Sequence, residues 1–277
     1  MREHVEVTLS DNKYVLAGYD GVTVQIHLQK KEKQQSVFMI CGTDPNVGAT
    51  STALHIAAGL AKTAQSVLLL DADMRKAPQK KMIGKECENT LAKYLMGQST
   101  LEAIQYETNI PNLTFVPAGF SLVPVQLLCT KKLESFIKDL RGQYDFIIIN
   151  VSAAGASADS ETLLGLVDQI VMVAAPGRSY KKQVIALQRL YQQYQVPLLG
   201  VLVNRVDRYA YREYYKHSDY YMGERKKVGI WRRFVEKIRP TQAIAVGAPM
   251  QLANTDNKEE TEIEKKNEKD IELKKKK

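Results

Sequence analysis

Ser36-Val37-Phe38-Met39-Ile40, then Cys41-Gly42-Thr43-Asp44-Pro45-Asn46-Val47-Gly48-Ala49-Thr50, then Ser51-Thr52-Ala53-Leu54-His55-Ile56-Ala57-Ala58-Gly59-Leu60-Ala61-Lys62 is the stretch that decides the fold. An apolar run passes into a short loop with two glycines, and the loop passes into an Ala- and Leu-rich segment. Strand, loop and helix in that order are the setting of a phosphate-binding loop. Such a loop works by backbone: successive N–H groups wrap phosphate oxygens, and the helix behind them adds its positive end. Gly42, Pro45, Asn46, Gly48, Ala49, Thr50 and Ser51 are therefore the candidate nucleotide-binding residues, with the Thr50 hydroxyl available to Mg²⁺. Where the motif has Gly-Lys-Thr, this chain has Gly48-Ala49-Thr50. Ala49 brings no charge to the β- and γ-phosphates. One charged hydrogen bond is worth about 1.5–3 kcal/mol, roughly 10–150-fold in binding. Its loss from a phosphoryl-transfer transition state costs more, because catalysis there is mostly charge stabilisation and positioning.

Outward from this stretch, apolar runs alternate with helix-like segments. The predicted strands are Ser36–Ile40, Ser66–Leu70, Leu113–Pro117, Phe146–Asn150, Gln169–Ala174 and Leu198–Val203. Their near-continuous hydrophobicity suits strands covered on both faces. Between them lie predicted helices at Thr50–Lys62, Thr90–Met96, Leu101–Glu107, Lys131–Gln143, Ser160–Leu166 and Tyr180–Tyr194. The alternation predicts an α/β fold, a doubly wound and mostly parallel sheet flanked by helices. Binding sites in such folds lie beyond the carboxyl ends of the strands. The loop sits at that end of one strand, and Asp71 and Asn150 sit at that end of two others. Val67-Leu68-Leu69-Leu70-Asp71-Ala72-Asp73 ends in two carboxylates two residues apart, placed on one side to hold Mg²⁺ or orient a nucleophile. Tyr144-Asp145-Phe146-Ile147-Ile148-Ile149-Asn150 ends in an amide where a Walker B strand ends in Asp, and an amide attracts Mg²⁺ poorly.

The chain has 277 residues, 44% hydrophobic and 25% charged, which suits one large domain with a well-buried core. Cys41, Cys87 and Cys129 fit neither a disulfide framework nor a zinc site and point to a reducing cytoplasm. No run reaches the roughly 18 apolar residues of a membrane span, and the N-terminus does not read as a signal peptide. The net charge is +8. From Arg205 to Arg239 there are eleven Lys/Arg and five Asp/Glu, whereas from Asn254 to Lys277 there are eight of each. The basic excess thus gathers in one stretch, which predicts an acidic surface nearby: a membrane, an anionic polymer or a partner. Within it, Tyr209, Tyr211, Tyr214, Tyr215, Tyr220 and Tyr221 crowd into thirteen residues. In Ile230-Trp231-Arg232-Arg233-Phe234-Val235-Glu236-Lys237-Ile238-Arg239 the apolar groups share one helical face. That face can lie on an anionic membrane, pack on a membrane-protein partner or dock on its own domain. Predicted organisation is residues 1–207 as the α/β domain, 208–239 as a Tyr-rich basic region and 240–277 as a disordered charged tail. The four histidines form no catalytic or metal-binding set.

Taken together, these stretches resemble the cytoplasmic kinase domain of bacterial tyrosine kinases (BY-kinases) of capsule and exopolysaccharide biosynthesis, in the MinD/ParA group of P-loop ATPases. That family's loop reads roughly Ser-x-x-Pro-Gly-Glu-Gly-Lys-Ser, of which this chain keeps Pro45 and Gly48. Its second motif, roughly Leu-Leu-Ile-Asp-Ala-Asp-Leu-Arg, is matched by Leu68 to Arg75. Thr90 to Gly97, Pro111 to Gly119 and Gly200 to Asp207 match in order, and the tyrosine cluster follows. The resemblance covers about two thirds of the chain. It implies ATP and Mg²⁺ as cofactors and Asn204 and Asp207 on the adenine side. Asp71 and Asp73 would be the catalytic pair, with Thr50, Asp71 and the Asn150 position around the metal. Asp159 matches an acid that follows the Walker B strand. The six tyrosines would be phospho-acceptors, each phosphate adding about −1.5 to −2 charge.

The departures carry as much weight. The lysine is Ala49, the Walker B aspartate is Asn150, and Val151-Ser152-Ala153 replaces Thr-Pro-Pro. The family's Glu-x-x-Arg-x-x-Arg ring-assembly motif falls on Tyr19, Val22 and Gln25, all uncharged. Phosphate, metal and assembly signatures are altered together. The expectation is a catalytically impaired, pseudokinase-like regulatory or scaffolding subunit in which ATP and Mg²⁺ binding is weak or lost. Implied partners are a membrane polysaccharide co-polymerase acting as kinase activator, an active paralogous kinase and a membrane surface; nucleic acid is not expected. The implied place is the cytoplasm, peripheral at the inner face of the cell membrane. Two other readings stay open: an active ATP-dependent tyrosine autokinase, and a MinD/ParA-type membrane-associated positioning ATPase.

Overall fold

The computed structural model describes residues 2–10, 12–76, 83–206 and 242–245. In chain order the elements are β1 (His4–Val5), α1 (Lys13–Lys33), β2 (Val37–Gly42), α2 (Ala49–Ala61), β3 (Val67–Asp71), α3 (Leu91–Leu95), β4 (Tyr106–Thr108) and β5 (Leu113–Val116). There follow α4 (Pro124–Leu128), α5 (Lys131–Arg141), β6 (Phe146–Asn150), α6 (Asp159–Thr162), β7 (Gln169–Ala174), α7 (Lys181–Gln193), β8 (Leu198–Val206) and β9 (Gln242–Ala245). The described strands form one sheet in the order β1-β4-β5-β3-β6-β2-β7-β8-β9. Neighbours run parallel throughout, except that β4 is antiparallel to β5 and β9 to β8.

Side-chain alternation builds a core on each face. Val37, Met39 and Cys41 of β2 join Leu68, Leu70, Ile147 and Ile149 in one cluster, covered by Leu133, Phe136, Ile137 and Leu140 of α5. Those four positions are spaced for a single helical stripe, and Thr130 caps the helix by accepting from Leu133 N. Phe38 and Ile40 face the other way, with Leu69, Phe146 and Ile148, against Ala53, Ile56, Ala57 and Leu60 of α2. The doubly wound, mostly parallel α/β architecture expected from the alternation is the one observed. Register matters most at the centre, where Asp71 of β3 lies opposite Asn150 of β6. Beside them, Ile40 of β2 lies opposite Asn150, so three strands end together beneath the loop at 43–48.

Three expectations need correction. Leu101–Glu107 is not a helix: residues 101–104 form turns and β4 follows. Tyr106 lies opposite Phe115 on β5 and both are buried, so an aromatic cross-strand pair outweighs local helix preference. The helix expected over Ser160–Leu166 shrinks to α6 and gives way to turns. Residues 242–245, expected within a disordered tail, pair with β8; the short apolar run Ala243-Ile244-Ala245 precedes the charged residues. Asp207, the six tyrosines of the cluster and the Ile230–Arg239 stretch lie outside the described residues.

Helix α1 carries Tyr19, Val22 and Gln25, where the ring-assembly motif was aligned. Tyr19 is buried and Val22 packs against the α2-side core, so this face of α1 points inward. A Cβ added at Gly59 would meet Thr23 Oγ1 at 3.0 Å, which shows how closely α1 and α2 approach. Among the described residues no helix is long and apolar enough to cross a membrane.

Candidate functional site

The loop after β2 is held by its neighbours on all sides. Ala154 N donates to Gly42 O at 2.9 Å, and Gly155 N to Thr43 O at 3.1 Å. Gln183 Nε2 bridges Thr43 O and Asp44 Oδ1 at 3.0 and 3.1 Å. Asn46 (φ 64°) and Gly48 (φ 98°) are both left-handed, a conformation that glycine adopts without strain and that asparagine tolerates. Gly48 is the N-cap of α2 and no side chain caps that helix. The first-turn N–H groups of α2 therefore have no side-chain cap, an arrangement compatible with an anion at that helix end. Gly48 also has no room for a side chain, because a Cβ there would meet Asn204 Nδ2 at 2.0 Å. Asn204 leans over the loop and donates from Nδ2 to Val47 O at 2.8 Å.

A cavity of about 390 Å³ opens above the loop, within the range of small-molecule sites. Gly42, Pro45, Asn46, Gly48, Ala49, Thr50 and Ser51 all line it, with Asp73 from the end of β3. Among the described residues its cations are Arg75, Lys76 and Arg205. Thr8 and His55 complete one side. His55 Nε2 accepts from Ser10 N at 3.1 Å and Nδ1 donates to Ser51 O at 2.7 Å, which fixes a neutral tautomer and ties the N-terminal segment to α2. Burial lowers its basicity further.

Asp71 and Asn150, by contrast, are fully buried and form none of the cavity wall. Asn150 Nδ2 donates to Asp71 Oδ1 at 2.8 Å and lies 3.5 Å from Thr50 Oγ1. Asp71 Oδ2 and Asn150 Oδ1 are buried without a hydrogen-bond partner. Burial pushes the Asp71 carboxyl up to about 7, against the Asn150 bond that pulls it down. Asp73 is also raised by burial, opposed by the backbone N–H groups of Lys76 and Arg75.

These residues fit a magnesium ion poorly. Mg²⁺ needs near-octahedral oxygen ligation, ordinarily through one or two carboxylates and waters. Here an N–H donor, Asn150 Nδ2, stands between Thr50 and Asp71 where the second carboxylate would be. Among the described residues no group of three or more His, Cys, Asp or Glu side chains converges on a metal position.

Asp159, the acid expected after the β6 strand, is occupied. Arg75 Nε and Nη2 donate to its two oxygens at 2.7 and 2.8 Å, and Ser152 Oγ donates at 2.8 Å. Burial alone would raise its carboxyl, but the Arg75 and Ser152 bonds win and hold it below the usual range. The second-motif arginine is therefore spent on a bidentate pair inside the site. Sequence patterns placed both residues nearby without revealing the pairing. Asn204 was expected on the adenine side; what the structure shows is its brace across the loop. Gln183, His55 and Arg205 were not singled out, since no motif spacing marks them and only the fold brings them to the loop.

A family model described as an AAA domain matches residues 13–185. The putative tyrosine-protein kinase EpsB of Ralstonia nicotianae is 27% identical over 183 residues, covering 66% of this chain and 24% of EpsB. The chain thus spans about a quarter of the length of that relative. Among solved structures, the VpsO kinase domain superposes with a TM-score of 0.62 at 26% identity, covering 70% of this chain and 97% of that domain. The septum site-determining protein MinD of Pyrococcus horikoshii, solved with Mg-ADP, gives a TM-score of 0.55 at 25% identity, covering 62% of this chain and 71% of MinD.

Proposed function

From the premise that the chain belongs to the AAA-domain family, and within it to the BY-kinase cytoplasmic domains of the MinD/ParA-type group, we propose that it is a regulatory subunit of capsule or exopolysaccharide assembly that takes a nucleotide as a ligand and does not transfer its phosphoryl group. The observation that carries this reading is the coupled replacement at one site. Ala49 removes a positive charge from the loop, and Asn150, 3.5 Å from the neighbouring Thr50, removes a negative one. The two replacements cancel in formal charge, and together they take away the loop's cation and the carboxylate of the metal position. Backbone features of nucleotide binding remain: the uncapped α2 N-terminus, left-handed Asn46 and Gly48, and a cavity of about 390 Å³.

The ligand would then hold a conformation, not feed a reaction. The implied partners are an active kinase of the same family and a membrane co-polymerase, met at the inner face of the membrane through the basic region after Arg205. The six tyrosines, Tyr209 to Tyr221, would be acceptors for the active partner. The test is phosphotyrosine formation on purified protein with Mg-ATP, alone and beside an active BY-kinase. Expected is no labelling alone and labelling in the mixture. Strong labelling alone would sink the proposal.

A further inference from the structure

The site's two lost charges leave a specific chemical problem: a polyphosphate must be neutralised without the loop lysine and without a strong metal site. We propose that the cavity binds a nucleoside polyphosphate independently of any divalent cation. The Asn150 amide takes the metal's place between Thr50 and Asp71, and Arg205 supplies the charge that Ala49 cannot. This rests on the nucleotide-ligand reading above and adds how the ligand is recognised.

The first leg is the amide. A metal in this family of sites would be shared by the Thr50 hydroxyl and the carboxylates at the ends of β3 and β6. Asn150 Nδ2 lies 2.8 Å from Asp71 Oδ1 and 3.5 Å from Thr50 Oγ1, so one NH₂ group faces both oxygens. Its orientation is fixed by chemistry: turned over, the amide oxygen would face an acceptor. An NH₂ group carries partial positive charge and two donors, which is what two oxygens ask of a cation at short range. It carries no full charge to attract or hold phosphate, so the phosphates need another source.

The second leg is the cations at the cavity. Among the described residues these are Arg75, Lys76 and Arg205. Arg75 is committed to Asp159 through two bonds. Lys76 is exposed and makes no ion pair among the described residues, but it lies near the Asp73 carboxylate, which offsets part of its charge and accepts from its backbone N–H. Arg205 is exposed and makes no ion pair among the described residues. It follows Asn204, whose side chain is fastened to the loop at Val47 O, and its own N–H donates to Asn204 Oδ1 at 2.8 Å. The left-handed backbone at Arg205 (φ 57°), unusual for this residue type, is thereby fixed next to the loop. A guanidinium carried on that fixed backbone offers the forked donors that phosphate oxygens accept.

The experiment is calorimetric titration of the full chain with ATP, once with excess EDTA and once with Mg²⁺, for the native protein, Arg205→Ala and Asn150→Asp. Thermal melting of each protein confirms that it is folded. Expected for the native protein is an affinity that agrees within about twofold in EDTA and Mg²⁺. Arg205→Ala weakens binding about 10-fold or more in both buffers, the loss of one charged hydrogen bond. Asn150→Asp creates metal dependence, binding in Mg²⁺ and failing in EDTA, a change that loss of fold would not produce. Native binding only with Mg²⁺, or Arg205→Ala binding as tightly as native, overturns the proposal while the nucleotide-ligand reading stands. Absence of native binding in both buffers overturns both.

Discussion

Replacing Arg75 by alanine strands a carboxylate. The guanidinium donates to Asp159 at 2.7 and 2.8 Å, and Asp159 is 0% exposed while the arginine side chain is 44% exposed. Removing one partner of a buried pair costs about 3–5 kcal/mol. Two features discount this. Arg75 is half in water, so part of its attraction is screened, and Asp159 keeps the Ser152 hydroxyl at 2.8 Å. A loss of about 2–3 kcal/mol remains, which for a domain of this size lowers Tm by roughly 4–12 °C. The deficit has a definite pH sign. The folded-state carboxyl of Asp159 is held below its ordinary 3.8, so its contribution is present above that value and is lost as pH falls through the depressed one. Melting curves of native and Arg75→Ala protein should therefore differ most at neutral pH and converge under strong acid. Arg75→Lys should fall between them, keeping the charge but not the fork. If Arg75→Ala melts within about 1 °C of native at neutral pH, the pair does not stabilise the site and the reasoning fails.

Asp71 predicts the opposite pH trend. Its folded-state carboxyl is raised from 3.8 to about 7, so its contribution is fully present below the unfolded value and is lost as pH rises through the folded one. Chemical denaturation across that window should show stability falling with pH, and Asp71→Asn should flatten the slope; an unchanged slope refutes the assignment. Gly48→Ala puts a Cβ 2.0 Å from Asn204 Nδ2 at a φ of 98°, and should destabilise by about 1–3 kcal/mol in urea titrations. Adding Asn204→Ala removes the collision but not the backbone strain, so the double variant should lose less than the sum; strict additivity would show that the two residues do not touch.

Much of the fold was legible because central parallel strands are buried on both faces and therefore read as unbroken apolar runs, as Val67–Asp71 and Phe146–Asn150 do. The edges were not. β1 has two residues and β4 three, too short for a periodic signal, and β4 depends on Tyr106 meeting Phe115. Helix α1 was hidden by Gly18, Gly21 and the β-branched Val22-Thr23-Val24, all poor helix formers. What holds it is tertiary: Tyr19 stacks on His55 at 4.8 Å and Ile26 is fully buried. In the site, backbone-borne features such as Gly48 and Thr50 were visible because a loop motif fixes them by spacing. Arg75 with Asp159, and Asn204 with Val47, are separated by 84 and 157 residues, and no local pattern connects them.

The reading proposed above is that Ala49 and Asn150 together silence phosphoryl transfer while the backbone of the loop and its helix is kept. Its most direct test is transfer of labelled γ-phosphate from Mg-ATP to the protein's own tyrosines, native against Ala49→Lys/Asn150→Asp. The account predicts background labelling for the native chain and a gain for the restored one. Native labelling as fast as that of the restored chain would contradict it.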